Sequence, residues 1–483
     1  MLNQKIFFGI FIVFGFSLPG IAQQSTSVFP TNNIDFLMDT DTTSMIHVDS
    51  ILIIGNRKTK DYIILRELKI KKGDSITAVI LKRLIKETRE LIYNTNLFAE
   101  VDIEPSFISP SKVFIRINVK ERWYIYPNPI FSLTDRNINE WWNVYNADLG
   151  RINYGIKFTH YNFTGRADQL RLNMLNGYNR NIFLEYNNPN ISKDLNKGLS
   201  IGVNYIQNKE FPFKTSFDNQ LVQFRKDNYA RESLSVLGVY KIRKGYYRRH
   251  SFSLQYTYIR VNDSVVNSKY NSAYFNSTSP SVSFIDFGYG FQYVNVNNIN
   301  YPLKGEIFST HITKRGLGIS GGINMLMLDV SYRKFIPLPK KYYFSLQGFS
   351  KIKLPFNQPY INQRAMGYGN YYLRGLENYV IDGVFLFLTK VTFTKKIFSV
   401  KIPVPFRFNA IPNIPIALYA KTYTDGGYAH TNIETRSKLN NKLLYTSGLG
   451  VDIVSLYDIT TSLEYSFNQL GQKGLFLHFR SSF

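Results

Sequence analysis

The residues with the widest chemical reach are thinly spread in this chain. Its six histidines, His47, His160, His250, His311, His430 and His478, are dispersed, with none of the short spacings that metal coordination uses. There is no cysteine, which excludes a disulfide framework, a thiol nucleophile and a thiolate-bound metal. No G-x-S-x-G elbow, Walker loop or dinucleotide fingerprint stands in a fitting context. The pairs Gly288-Tyr289-Gly290 and Gly316-Leu317-Gly318 read as strand or loop features. The expectation is a chain without catalytic, cofactor-binding or metal-ligating residues, a hydrolase being a minor alternative.

The elements that must carry any other function are better marked. At 483 residues the chain is too long for one ordinary core. Phenylalanine and tyrosine are abundant (38 and 35) while mean hydropathy is slightly negative at -0.18. Aromatic side chains suit a pleated surface, and a transmembrane barrel keeps mild hydropathy because only alternate residues face lipid. The net charge of +24 comes from scattered lysines and arginines. It reads first as solvated loops, and second as a basic lumen or loops facing anionic lipid headgroups. A nucleic-acid partner is not expected, since no binding fold gathers the charge.

Lys5 followed by the apolar run Ile6–Leu18 and then Gly20 and Ala22 resembles a secretory signal peptide over 1–22. A polar leader follows over 23–45. No stretch of about 18 apolar residues occurs elsewhere, so any membrane crossing must use strands closed into a barrel.

Residues 46–122 have their own character. Ile46, Val48, Ile51 and Ile53 start a strand that ends at Gly55-Asn56. A short helix is predicted over about 61–68 with Asp61 as N-cap, then a turn at Gly73-Asp74. A longer helix over about 77–93 places Leu81, Leu84, Ile85, Leu91 and Ile92 on one face. Two strands through Phe98–Ile103 and Val113–Val119 complete a β-α-α-β-β unit, a small α+β domain.

From about Trp141 the helical signals stop and period-two alternation takes over. Phe252, Leu254, Tyr256 and Tyr258 alternate with polar residues, as do Leu463, Tyr465 and Phe467 against Ser462, Glu464 and Ser466. Leu475, Leu477 and Phe479 oppose His478 and Arg480 in the last segment, and Phe483 closes it. Segments of about 10 residues or more match a tilted membrane crossing rather than a soluble strand. Sixteen strands are predicted between about 148 and 483, the first at 150–161, one at 218–227 and the last at 474–483. The fold class is therefore mainly β: a 16-stranded antiparallel transmembrane β-barrel over 141–483 behind the small domain. An even count returns both ends of the barrel to the side of that domain. The longest interval without a strand, about 355–384, is a candidate functional loop.

Four markers in this order resemble the outer-membrane assembly and secretion superfamily that includes BamA, TamA and the two-partner secretion transporters. The 46–122 segment resembles one POTRA domain through Gly55-Asn56, Thr59, Ile63, Gly73-Asp74 and Leu91 to Phe98, with Asn96 where many members have glycine. Leu373-Arg374-Gly375-Leu376, flanked by Gly367-Tyr368-Gly369 and Gly383, resembles the loop-six motif, with Leu376 in place of an aromatic. Tyr423-Thr424-Asp425-Gly426-Gly427 resembles the motif on strand thirteen, and Tyr301–Gly305 a segment that opens a strand. Phe479 and the terminal Phe483 resemble an outer-membrane insertion signal.

The resemblance implies that Arg374 and Asp425, with Gly375 and Gly427 beside them, pin a long loop inside the barrel. A partly dry arginine needs such a partner, and a guanidinium can grip a carboxylate through two parallel hydrogen bonds. It also implies a barrel in the outer membrane and a periplasmic domain that recruits clients by strand addition or docks a partner. The expected partners are lipid, unfolded or nascent envelope proteins and accessory lipoproteins. The expected function is an assembly factor working through a weak seam between strands near 150–161 and 474–483. A dedicated secretion pore is the alternative, with a passive porin or receptor behind it.

Overall fold

The computed structural model describes residues 44–133, 146–316, 323–369, 371–403, 413–432 and 437–480. The signal peptide, most of the polar leader and Phe483 lie outside these. Two bodies follow one another along the chain. The first comprises β1 (Met45–Ile54), α1 (Asp61–Leu65), β2 (Ser75–Thr77), α2 (Ala78–Tyr93), β3 (Phe98–Ser109) and β4 (Lys112–Glu121). Its sheet has the order β2-β1-β4-β3, with β1 parallel to β4 and the other neighbours antiparallel. The inward residues Ile46, Val48, Ile103, Val113, Ile115 and Ile117 pack on Leu81 and Ile92 of α2.

Local physics accounts for four details. The first helix is shorter than expected and is capped by Lys60, because Asp61 is already helical and accepts instead from the Asn56 amide at 2.6 Å. Gly55 sits at φ +100°, where a Cβ would lie 1.9 Å from the Val119 carbonyl oxygen, so no other residue fits that turn. Asn96 has φ 62°, and asparagine is among the few residues besides glycine that tolerate the left-handed region. Gly73, at φ +91°, makes the second turn, and its N–H donates to the Val48 carbonyl at 2.8 Å.

The second body is a single antiparallel sheet of 16 strands. Its strands are β5 (Ile125–Leu133), β6 (Ile152–Tyr161), β7 (Gln169–Gly177), β8 (Asn179–Asn188) and β9 (Lys197–Asn208). After the small hairpin β10 (Glu210–Thr215) and β11 (Leu221–Arg225) come β12 (Arg231–Lys244), β13 (Arg248–Val261), β14 (Ser281–Val296) and β15 (Gly305–Arg315). Next are β16 (Met325–Leu338), β17 (Tyr342–Leu354), the short pair β18 (Arg364–Met366) and β19 (Ile381–Asp382), and β20 (Phe385–Pro403). The wall ends with β21 (Asn413–His430), β22 (Leu443–Val454), β23 (Thr460–Asn468) and β24 (Lys473–Arg480).

Alternation decides which way each side chain looks. On β23 Leu463, Tyr465 and Phe467 are exposed outward, while Thr460, Ser462, Glu464 and Ser466 are buried inward. On β24 Leu475, Leu477 and Phe479 face out. This outward apolar band against a polar interior is the wall of a transmembrane barrel.

The strand count matches expectation, but its membership differs at two places. The wall opens at Ile125, not at 150–161 or 141, because Pro127 and Pro129 disguise β5 as a loop. Mid-strand proline is tolerated chiefly on an edge strand, and β5 is the sheet's first edge. The 218–227 segment is not wall: β10 and β11 pair only with each other. Their Phe211, Phe213 and Phe224 join Val265, Tyr274 and Phe275 in an apolar dome over the outer mouth, a reason for alternation that has nothing to do with lipid.

Candidate functional site

The loop between β17 and β20 turns back into the barrel. Lys353, at the end of β17, is 4% exposed, and its ammonium donates to the carbonyls of Asn362 (2.6 Å), Arg364 (2.6 Å) and Gly383 (3.3 Å). One cation thereby draws both arms of the loop together. Burial pushes the Asp382 carboxyl above its ordinary value, and the Tyr368 hydroxyl donates to it at 2.6 Å. Asn219, at the tip of the β10–β11 hairpin, bonds Val380, Leu439 and Asn440 and fastens the loop from outside.

Between those arms Met366, Leu373, Leu376 and Ile381 pack on Leu386, Leu388 and Leu444 of the wall. Leu376, which stands where an aromatic was expected, is 3% exposed within this cluster. Inward leucines on β20 depart from the polar lumen that alternation predicts. They are inward because the folded loop supplies an apolar partner there.

At the tip, Arg374 and Asp425 meet. Nε donates to Oδ2 at 2.8 Å, Nη2 to Oδ1 at 2.5 Å, and the Arg374 backbone N–H adds a third bond to Oδ2 at 3.1 Å. Nη2 also reaches Thr392 Oγ1 at 3.0 Å, and the guanidinium lies 3.8 Å from the Tyr423 ring centroid. Both side chains are nearly dry, at 10% and 0% exposure. A buried pair holds only when its remaining donors and acceptors are satisfied, and this one is well supplied. Gly375, at φ +90°, would bring a Cβ to 2.8 Å from Ser466 Cβ, and at Gly427 a Cβ would press on Met366.

Sequence reasoning found Arg374, Gly375, Asp425 and Gly427, but missed the groups that surround them. Lys421 bridges Asp452 and Glu464 at 2.6 Å each, and Tyr301 donates to Asp452 at 3.0 Å. These residues come from β21, β22, β23 and the β14–β15 turn, separations that no local motif reports.

The small domain lies across the inner mouth. Arg243 grips Glu67 at 2.6 and 2.7 Å, and the Tyr246 hydroxyl donates to the Leu68 carbonyl at 2.5 Å. Asn94 bonds Val296 and Ile299, Asn96 accepts from Asn300, and Tyr93 donates to Asp458 at 3.0 Å. Burial and the nearby Asp458 carboxylate push the Tyr93 hydroxyl up, which keeps it a neutral donor. On the far side Asn162 donates to Thr59, and Lys60 N–H to the Gly165 carbonyl. A half-open cavity of about 660 Å3 lies between the domain and loop six, lined by Glu87, Lys241, His311, Asp329 and Tyr371 among others.

The sheet's two edges are the remaining feature. Every other neighbouring pair of wall strands forms a ladder, yet among the described residues none joins β5 to β24. At the inner rim the residues just before β5 reach the β22–β23 turn, where the Trp123 N–H meets the Tyr457 hydroxyl at 3.3 Å. The ladder between β5 and β6 explains the gap. Tyr161 N–H donates to the Tyr124 carbonyl, so the even-numbered residues of β5 bond β6 and the odd-numbered ones face the seam. Pro127 and Pro129 are odd-numbered, and they delete two donors from the edge that β24 would need. The seam thus lies at 125–133 against 473–480 rather than at 150–161.

This arrangement has relatives. The POTRA family model, described as surface antigen variable number repeat, matches residues 46–122. Among solved structures the chain is similar to BamA from Haemophilus ducreyi lacking POTRA domains 1–3, with a TM-score of 0.50 and 16% identity, covering 90% of this chain and 84% of that one. It is also similar to CdiB from Escherichia coli, with a TM-score of 0.50 and 10% identity, covering 90% and 76%. No curated protein matches the sequence. The chain has the fold of an outer-membrane β-barrel of the BamA and CdiB kind. Its small domain is the POTRA domain that the family model matches.

Proposed function

We propose that the chain is an outer-membrane assembly factor that inserts envelope proteins through the seam between β5 and β24. The observation that carries this reading is the unzipped seam with two prolines on its exposed edge. A client strand can pair with β24, which keeps its N–H and C=O groups, while β5 resists closing against it. The Arg374–Asp425 pin holds loop six against β20, β21 and β23, so the wall stays shaped while the seam opens. The POTRA domain is positioned to hand over an extended client at the inner rim.

Export of a dedicated substrate is the second reading, favoured by the likeness to CdiB. A passive porin fits less well, since loop six, the dome and the POTRA domain occupy the lumen and both mouths. Depleting the protein tests the three. Insertase activity predicts a fall in many outer-membrane proteins, export predicts loss of one secreted substrate, and a porin predicts slower solute uptake with an unchanged envelope proteome.

A further inference from the structure

Beside the pin, three side chains from three elements converge within ion-pair distance but with no hydrogen bond at the converging atoms. They are Glu377 of loop six, Glu464 of β23 and His478 of β24. His478 Nε2 lies 3.4 Å from Glu377 Oε1 and 3.3 Å from Glu464 Oε2. None of these three buried atoms makes a hydrogen bond of acceptable geometry, with one another or with anything else. The Glu464 side chain is 4% exposed, so solvent does not supply the missing partner.

The other half of each carboxylate is already held. Lys421 takes Glu464 through Oε1 at 2.6 Å, and the Gly375 N–H donates to Glu377 Oε2 at 2.6 Å. Tyr372 stacks on the His478 ring at 5.8 Å and 27°. Each group is thus held by a neighbour, and the three remaining ligand atoms lie within 4.8 Å of one another. That is how outer partners orient metal ligands.

A proton on Nε2 is the competing occupant. A single N–H points along one line, and here it serves neither oxygen. A tetrahedral ion with bonds of about 2.0–2.1 Å spaces its ligand atoms roughly 3.3–3.4 Å apart, the separation of His478 Nε2 from each carboxylate oxygen, and all three atoms lie within 4.8 Å of one another. The imidazole excludes calcium and magnesium, which take oxygen ligands in larger number.

We infer that Glu377, Glu464 and His478 form a site for a divalent transition-metal ion, zinc by geometry, that clasps loop six to the last two strands of the wall. The site exists only while loop six is seated, and it includes a residue of the seam strand. A bound ion therefore holds β24 and the loop together, whichever client or substrate the protein handles. No spacing in the sequence announces it, because its ligands lie 87 and 14 residues apart (377 to 464, 464 to 478).

The test is calorimetric titration of zinc into the tag-free full-length protein in detergent after chelator treatment, with magnesium as contrast. One zinc per chain is expected. Loss of a direct ligand in His478→Gln or Glu377→Gln should weaken binding by at least about 100-fold, since even outer partners are worth 10–100-fold. Zinc should also raise the thermal unfolding midpoint of the parent protein and not of the variants. Heat-modifiable gel mobility confirms that each barrel is folded, and Glu377→Gln, on a loop rather than in the wall, is the variant least able to disturb it. A folded parent protein that takes up no zinc, variants that bind as tightly, or magnesium binding equally well would each overturn the inference.

Discussion

The lumen is closed twice, and the two closures are built differently. Loop six brings its own apolar cluster, a lysine that gathers both of its arms, and a dry arginine–carboxylate pair. The POTRA domain closes the inner mouth mostly with amide, hydroxyl and charged side chains reaching to hairpin turns. Apart from the Glu67 carboxylate, which is 4% exposed, those hydrogen bonds exchange with water at small net cost, whereas the loop-six pair is dry on both sides and separating it strands a buried charge. The difference teaches where motion belongs: the inner closure is the releasable one, and the outer closure is part of the wall.

The largest expected effect comes from breaking the outer closure. Arg374→Ala or Asp425→Ala should cost about 3–5 kcal/mol locally by leaving one buried charge unpaired. Limited proteolysis should then cut within 355–384, where the parent protein resists. Reversing both charges together should recover part of what either single reversal loses, and no recovery would argue against a direct pair.

On the inner side, Glu67→Gln removes the charge from the Arg243 fork and should weaken docking by about 1.5–3 kcal/mol. Planar-bilayer recording should show more frequent conducting states. If conductance is unchanged, the domain is not the gate.

A third change sharpens the contrast at the seam. Pro127→Thr with Pro129→Thr restores two amide donors, each worth about 0.5–1.5 kcal/mol once paired. Amides of β5 and β24 should gain protection from hydrogen exchange while insertion slows. Unaltered exchange would show that something other than the prolines keeps the edges apart. The smallest effect is expected for Asn94→Ala, about 1 kcal/mol from lost hydrogen bonds to the β14–β15 turn, read as a slight rise in the same conductance.

Much of this was legible in the residues. Period-two alternation marked the wall from β12 to β24 because lipid and lumen impose opposite polarity on neighbouring positions. The turn glycines and α2 were readable because backbone strain and helical periodicity are local. The strand over 125–133 was not, since its two prolines obey an edge rule that applies only once the edge is known. The 218–227 segment misled for the converse reason: aromatics packed in a dome alternate as well as aromatics facing lipid do. Arg374 and Asp425 could be paired from a family likeness, but nothing near them in sequence pointed to Lys353, Lys421, Glu464 or Glu377.

The sequence by itself determined the two bodies and which face of each strand is apolar, because those depend on side chains two to four positions apart. Tertiary structure alone decided where the sheet starts, which edge the prolines face, and which charged groups meet in the lumen. Those depend on how a long sheet curls and on a loop returning through it. Such closures join residues tens to hundreds of positions apart, and local patterning cannot encode them.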